Sequence, residues 1–185
     1  MLPAATSSKA SPSGAVTTVA GDISSKPTPT FGTGVGPELA GAQFYGPRGI
    51  CFVGNVGYIA DTVNNVIKKW DMGSATVSLL AGIMSTSGGV DTSAGTATFS
   101  SPRRLSADAS GVLYVPDYNG IRAVDSSTGE TKTIISIAAY KGAAVNAAGT
   151  QLWAACPARV DFFTLAPPTD APTEAPTVAP TEAPT

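Results

Sequence analysis

Three arginines and two aspartates recur at places where they could do chemistry. Arg48 follows a proline in GPRGI, and Arg103 and Arg104 follow another in SPRRL, each at the opening of a short apolar run. A guanidinium is a planar fork of donors that matches a carboxylate, so three of them gathered at one mouth would favour an anionic ligand such as a carboxylate or an acidic glycan. Solvated loop charge is the plainer account of the same residues. Asp61 and Asp117 close two other runs, YIAD and YVPD. They could contribute to a ligand or cation site, or their carboxylates could accept backbone N–H groups where a strand gives way to a turn. Asn64, Asn65 and the pair Asn119-Gly120, which tolerate left-handed backbone, favour the turn. Calcium takes about six to eight oxygens, and no D-x-[DN]-x-[DN]-G loop supplies them.

The sequence contains no histidine. Ser-His-Asp and Cys-His nucleophile pairs are therefore excluded, as is any zinc site built on imidazole. Cys51 in ICFV and Cys156 in LWAAC sit in apolar strand-like contexts and read as buried thiols, with a bridge between them left open. On these residues the expectation is a binding module without catalysis and without a cofactor, with a self-assembling structural glycoprotein and a fragment of a larger hydrolase or lyase as the alternatives.

The elements that would position these side chains form an internal repeat. FYGPRGICFVGNVGYIADTVNNVIKKWD aligns with FSSPRRLSADASGVLYVPDYNGIRAVD, matching Phe44 to Phe99, Pro47 to Pro102, Tyr58 to Tyr114, Asp61 to Asp117 and Ile67 to Ile121. A weaker third repeat runs from Lys141, with Asn146 matching Asp108 and Gly149 matching Gly111. Short apolar runs bounded by Gly, Asn, Asp and Pro predict strands at 49–53, 56–61, 65–71 and 76–81, then at 103–108, 111–117, 120–125 and 131–137, then at 142–147, 150–156 and 158–165. Four short strands per unit is the blade of a β-propeller. The third repeat lacks its fourth strand, and AVTTVAG at 15–21 resembles VSLLAG at 77–82, so an opening outer strand is expected to complete the last blade of its own chain or of a neighbour. The expected fold is all-β: about three propeller blades over 15–165, either a partial ring or one completed by another chain. Such an arc leaves two apolar sheet faces to be covered.

The first repeat resembles the NHL repeat. The resemblance rests on Pro47, Gly49 and Ile50 at the first strand, on Ile59, Ala60 and Asp61 at the end of the second, on Asn64 and Asn65 in the turn, and on the Gly-rich stretches GVGPELAGAQF and GGVDTSAGTATF. The second repeat departs from it at Arg104, where glycine is expected, and the third keeps only the strand rhythm. The resemblance implies a binding platform, with lyases, hydrolases and RNA binders among the relatives. The lyases depend on His-rich zinc sites, which this sequence cannot supply.

The two ends differ from the middle. Residues 1–14 read as disordered. From Pro168 the sequence repeats PTDA, PTEA, PTVA, PTEA, PT, a proline every fourth residue that removes ladder donors and leaves polyproline II as the default. The stretch 166–185 therefore reads as a Pro/Thr-rich stalk, with Thr169, Thr173, Thr177, Thr181 and Thr185 as O-glycosylation sites. A stalk of this composition points to the cell exterior or surface. No cationic segment followed by an apolar one opens the sequence, so a partial sequence is expected. A formal net charge of −2 without a run of Lys or Arg argues against nucleic acid. No apolar run approaches the roughly 18 residues of a membrane helix. The expected partners are a protein or glycan ligand and further copies of the chain.

Overall fold

A computed structural model describes residues 20–21, 36–37, 42–92, 96–137 and 140–165. The expected disordered N-terminus, most of the opening strand at 15–21 and the Pro/Thr stalk lie outside the described residues. Among these there is no helix. The strands in chain order are β1 Gly36–Pro37, β2 Pro47–Val53, β3 Val56–Asp61, β4 Val66–Asp71, β5 Thr76–Ala81, β6 Ser106–Ala107, β7 Val112–Asp117, β8 Gly120–Asp125, β9 Thr131–Ile135, β10 Gly142–Val145, β11 Gln151–Ala155 and β12 Val160–Thr164.

They form three antiparallel sheets, ordered β1-β5-β4-β3-β2, β6-β7-β8-β9 and β10-β11-β12. Each is a blade, and the chain is an all-β partial propeller. Among the described residues the third blade has three strands, those its sequence pattern predicts. Blade one gains the two-residue strand β1 on its outer edge, Gly36 pairing with Val77, a fifth strand beyond the four that the sequence pattern predicts for it. The inner strand of blade two is shorter than the predicted 103–108: only Ser106 and Ala107 pair with β7, and Arg104 bridges to Gly142 of blade three instead.

Backbone hydrogen bonds fix the register between repeats. Arg103 N–H donates to the Pro116 carbonyl at 2.8 Å, and Lys141 N–H donates to the Ala155 carbonyl at 2.7 Å. Lys141 of blade three thus stands where Arg103 stands in blade two. In the next turn, Asp108 accepts from the backbone N–H groups of Ser110 and Val112, and Asn146 accepts from those of Thr150 and Gln151. Gly111 and Gly149 carry positive φ of 90° and 69° in the same turns, which explains the glycine shared by the two repeats.

Alternation within each strand sends one set of side chains toward each neighbouring blade. Tyr58, Ala60, Ile67 and Ala81 of blade one pack on Leu105, Leu113, Val115 and Val124 of blade two, together with Phe99 of the connecting loop. Tyr114 and Ile121 of blade two pack in turn with Tyr140, Leu152 and Ala154 of blade three. The inner strands approach closely: a Cβ at Gly49 would lie 2.6 Å from the Arg103 carbonyl oxygen. That approach is the physical reason for the glycine of the Pro-x-Gly opening.

Candidate anion site

A cation stands at or just before the opening of each inner strand. Arg48, Arg103, Arg104 and Lys141 surround one hollow of roughly 450 Å³. Arg48, Arg103 and Lys141 occupy the same position in successive repeats, so the hollow gathers one cation from each of the three blades, with Arg104 as a fourth. Tyr118, on the turn between β7 and β8, holds two of them in place by cation–π contact: the Arg103 guanidinium lies 5.2 Å from its ring centre and the Lys141 ammonium 5.6 Å. Among the described residues, no carboxylate lies within ion-pair distance of any of the four. Four like charges without an internal counter-ion set up a positive potential that a bound anion would relieve.

The structure therefore brings together the three arginines singled out in the sequence and adds Lys141. The signal for Lys141 was present, since the third repeat opens on that residue. Asn146 and Gly149 each stand 38 residues beyond their matches, an offset that puts Lys141 on Arg103, and the backbone bond to Ala155 has the same register.

Asp61 and Asp117, the two aspartates also read as ligand candidates, are not brought to this hollow. Both are buried, line neither hollow, and have their oxygens taken by internal donors. Asp61 accepts from Tyr45 N–H at 2.7 Å and Asn64 Nδ2 at 2.8 Å, and lies 2.9 Å from Lys68 Nζ. Asp117 accepts from the N–H groups of Ser100, Asn119 and Gly120, and lies 3.5 Å from Arg122 Nη1. Turn closure and a buried cation account for both carboxylates. Among the described residues, no group of three or more His, Cys, Asp or Glu is arranged to hold a metal ion. The donors around the hollow are cations, which do not fit one.

Cys51 and Cys156 are free thiols in different inter-blade clusters. Burial pushes the Cys51 thiol up to about 12, which keeps it protonated and unreactive at neutral pH. A second hollow of roughly 330 Å³ lies on the outward side of blade one, lined by apolar residues including Phe44, Ile50, Ile59 and Trp70, and by Arg48 at its edge.

No family model matches the chain, and no curated protein matches it. Among solved structures it is similar to a gluconolactonase from Xanthomonas campestris, at 16% identity and a TM-score of 0.47, over 62% of this chain and 36% of that one. It is also similar to a luciferin-regenerating enzyme, at 14% identity and a TM-score of 0.42, over 63% of this chain and 39% of that one. The chain thus spans less than half the length of either. Both neighbours are named as enzymes, and the expectation of a non-catalytic module is corrected on that finding.

Proposed function

We propose that this chain is an arc of a propeller hydrolase and that the basic hollow holds the anionic part of its substrate. The observation that carries the reading is the convergence of Arg48, Arg103, Arg104 and Lys141 on one hollow with no carboxylate among the described residues to neutralise them. The buried cations Lys68 and Arg122 have carboxylate partners, and among the described residues these four have none. Within the hydrolytic reaction the hollow supplies recognition and orientation: forked donors on two blades fix a carboxylate's plane, and the positive field raises its local concentration. We also read the repeat as NHL-type, on the strength of Pro47, Gly49 and Ile50 and of Ile59, Ala60 and Asp61. The Pro/Thr tail supports a place outside the cell or at its surface.

The test is equilibrium titration of the chain with citrate, a tricarboxylate, beside glycerol as an uncharged polyol. The reading expects saturable citrate binding that weakens as salt rises and is lost in Arg48→Gln/Arg103→Gln, with no binding of glycerol. Citrate binding that is absent, or unchanged in the double variant, would remove it.

A further inference from the structure

The arc ends in two exposed apolar faces, and the repeat shows what each is built to meet. On blade one, Ile50 is 52% and Phe52 50% exposed; on blade three, Trp153 is 40%, Val160 68% and Phe162 52% exposed. Phe44, Ile50 and Ile59 of blade one occupy the places of Phe99, Leu105 and Val115 in blade two. Those three are buried beneath Tyr58, Ala60, Ile67 and Ala81. At the other end, Ala155 pairs with Val160 and Trp153 with Phe162, as Ala60 pairs with Ile67 and Tyr58 with Lys69. Trp153 and Val160 therefore stand in blade three where Tyr58 and Ile67 stand in blade one. One end of the arc carries the receiving half of the blade–blade interface and the other end carries the covering half.

We propose that these halves meet between two copies of this chain, blade three of each covering blade one of the other about a two-fold axis. Continuity with the two interfaces inside the chain points to this occupant, because the same positions form the contact each time. Two arcs of three blades close within the range of roughly four to eight blades that twisted sheets allow, whereas three arcs exceed it. Each contact joins unlike surfaces, and the pair is nevertheless closed because each copy uses both of its faces once. The roughly 330 Å³ hollow beside Ile50 and Ile59 gives the second copy's Trp153 a place to enter. Closure also sets a second row of inner-strand cations around the same axis.

The experiment is sedimentation equilibrium of the full chain and of two variants at exposed positions, Trp153→Asp and Phe52→Asp. The parent is expected at twice the mass of one chain, and each variant at the monomer mass, with dissociation constants raised at least about 100-fold by a charge placed in the contact. Mixing the two variants leaves one of the two contacts intact, so mixed dimers should reappear at higher concentration. Circular dichroism identical to the parent shows that the blades are still folded. A monomeric parent would overturn the proposal. A variant that still pairs with itself would overturn the head-to-tail arrangement, and growth beyond a dimer would overturn closure. None of these outcomes depends on anion binding, so this proposal and the functional one fail separately.

Discussion

Blades one and two answer the same structural need with different cations. In each, a buried aspartate ends the second strand and a buried cation stands at the third position of the next: Asp61 with Lys68, and Asp117 with Arg122. In each the cation also lies over the phenylalanine that opens the repeat, 4.8 Å from the Phe44 ring centre and 5.2 Å from that of Phe99. Each cation donates to the carbonyl just before that phenylalanine, Lys68 to Gln43 and Arg122 to Thr98. There the likeness ends. The second arm of the Arg122 fork reaches the Val90 carbonyl at 2.9 Å and Asp91 at 2.6 Å, and Asp91 in turn accepts from Thr133 N–H at 2.8 Å. A lysine is one point of charge and an arginine is a fork. Blade two uses the fork to tie its connecting loop to its third and fourth strands.

The comparison breaks most visibly when a cation is removed. Arg122→Ala leaves Asp117 buried without its counter-ion and frees the loop, and should cost about 3–5 kcal/mol in urea unfolding. Lys68→Ala orphans Asp61 but releases one carbonyl only, so its loss should be the smaller of the two. Equal losses would show that the extra loop contacts contribute nothing to stability. A finer probe keeps the charge and removes the fork. Arg122→Lys should cost about 1–2 kcal/mol and speed amide exchange at Val90 and Thr98, while amides of blade one stay unchanged. Unchanged exchange at those two amides would mean the loop is held by other contacts.

Alkaline pH compares the two interfaces. Burial, and then the neighbouring Asp108 carboxylate, raise Tyr114 from its ordinary 10.0 to about 12. Burial raises Cys51 from 9.0 to about 12. An acid whose folded value is raised gives stability that is complete below the unfolded value and is lost as pH climbs through the folded one. Stability should therefore decline from about pH 9 toward pH 12. Cys51→Ala, at the interface of blades one and two, should flatten the early part of that decline, and Tyr114→Phe, at the interface of blades two and three, the later part. Parallel curves for parent and both variants would contradict these assignments.

Much of the fold was legible in the residues because strand alternation and turn chemistry are local. The runs ending in Asp61 and Asp117 end as strands at those residues, and Asn65 and Gly120, in the turns that follow, take the positive φ of 59° and 142° that their residue types tolerate. The inner strand of blade two was less legible: Pro102 and the approach of blade three leave it only two paired residues. The site was half visible. The arginines could be found from the Pro-Arg openings, whereas Lys141 follows a tyrosine, carries no such opening and is reached only by extending the weak third repeat back from Asn146. Arg122 was missed altogether, because a cation within an apolar strand reads as exposed until Asp117, Asp91 and two carbonyls are folded around it. Asp91, on a loop some thirty residues earlier, gives no local sign of that role.

The claim on which the rest depends is that equivalent positions in successive blades face one shared hollow. Lys141→Gln tests it directly, because only the register between blades assigns that residue to the site. Citrate affinity, measured calorimetrically for this variant beside Lys132→Gln on the outer strand β9, should fall about tenfold for Lys141 and stay at the parent value for Lys132. Equal affinities for the two variants would contradict the account.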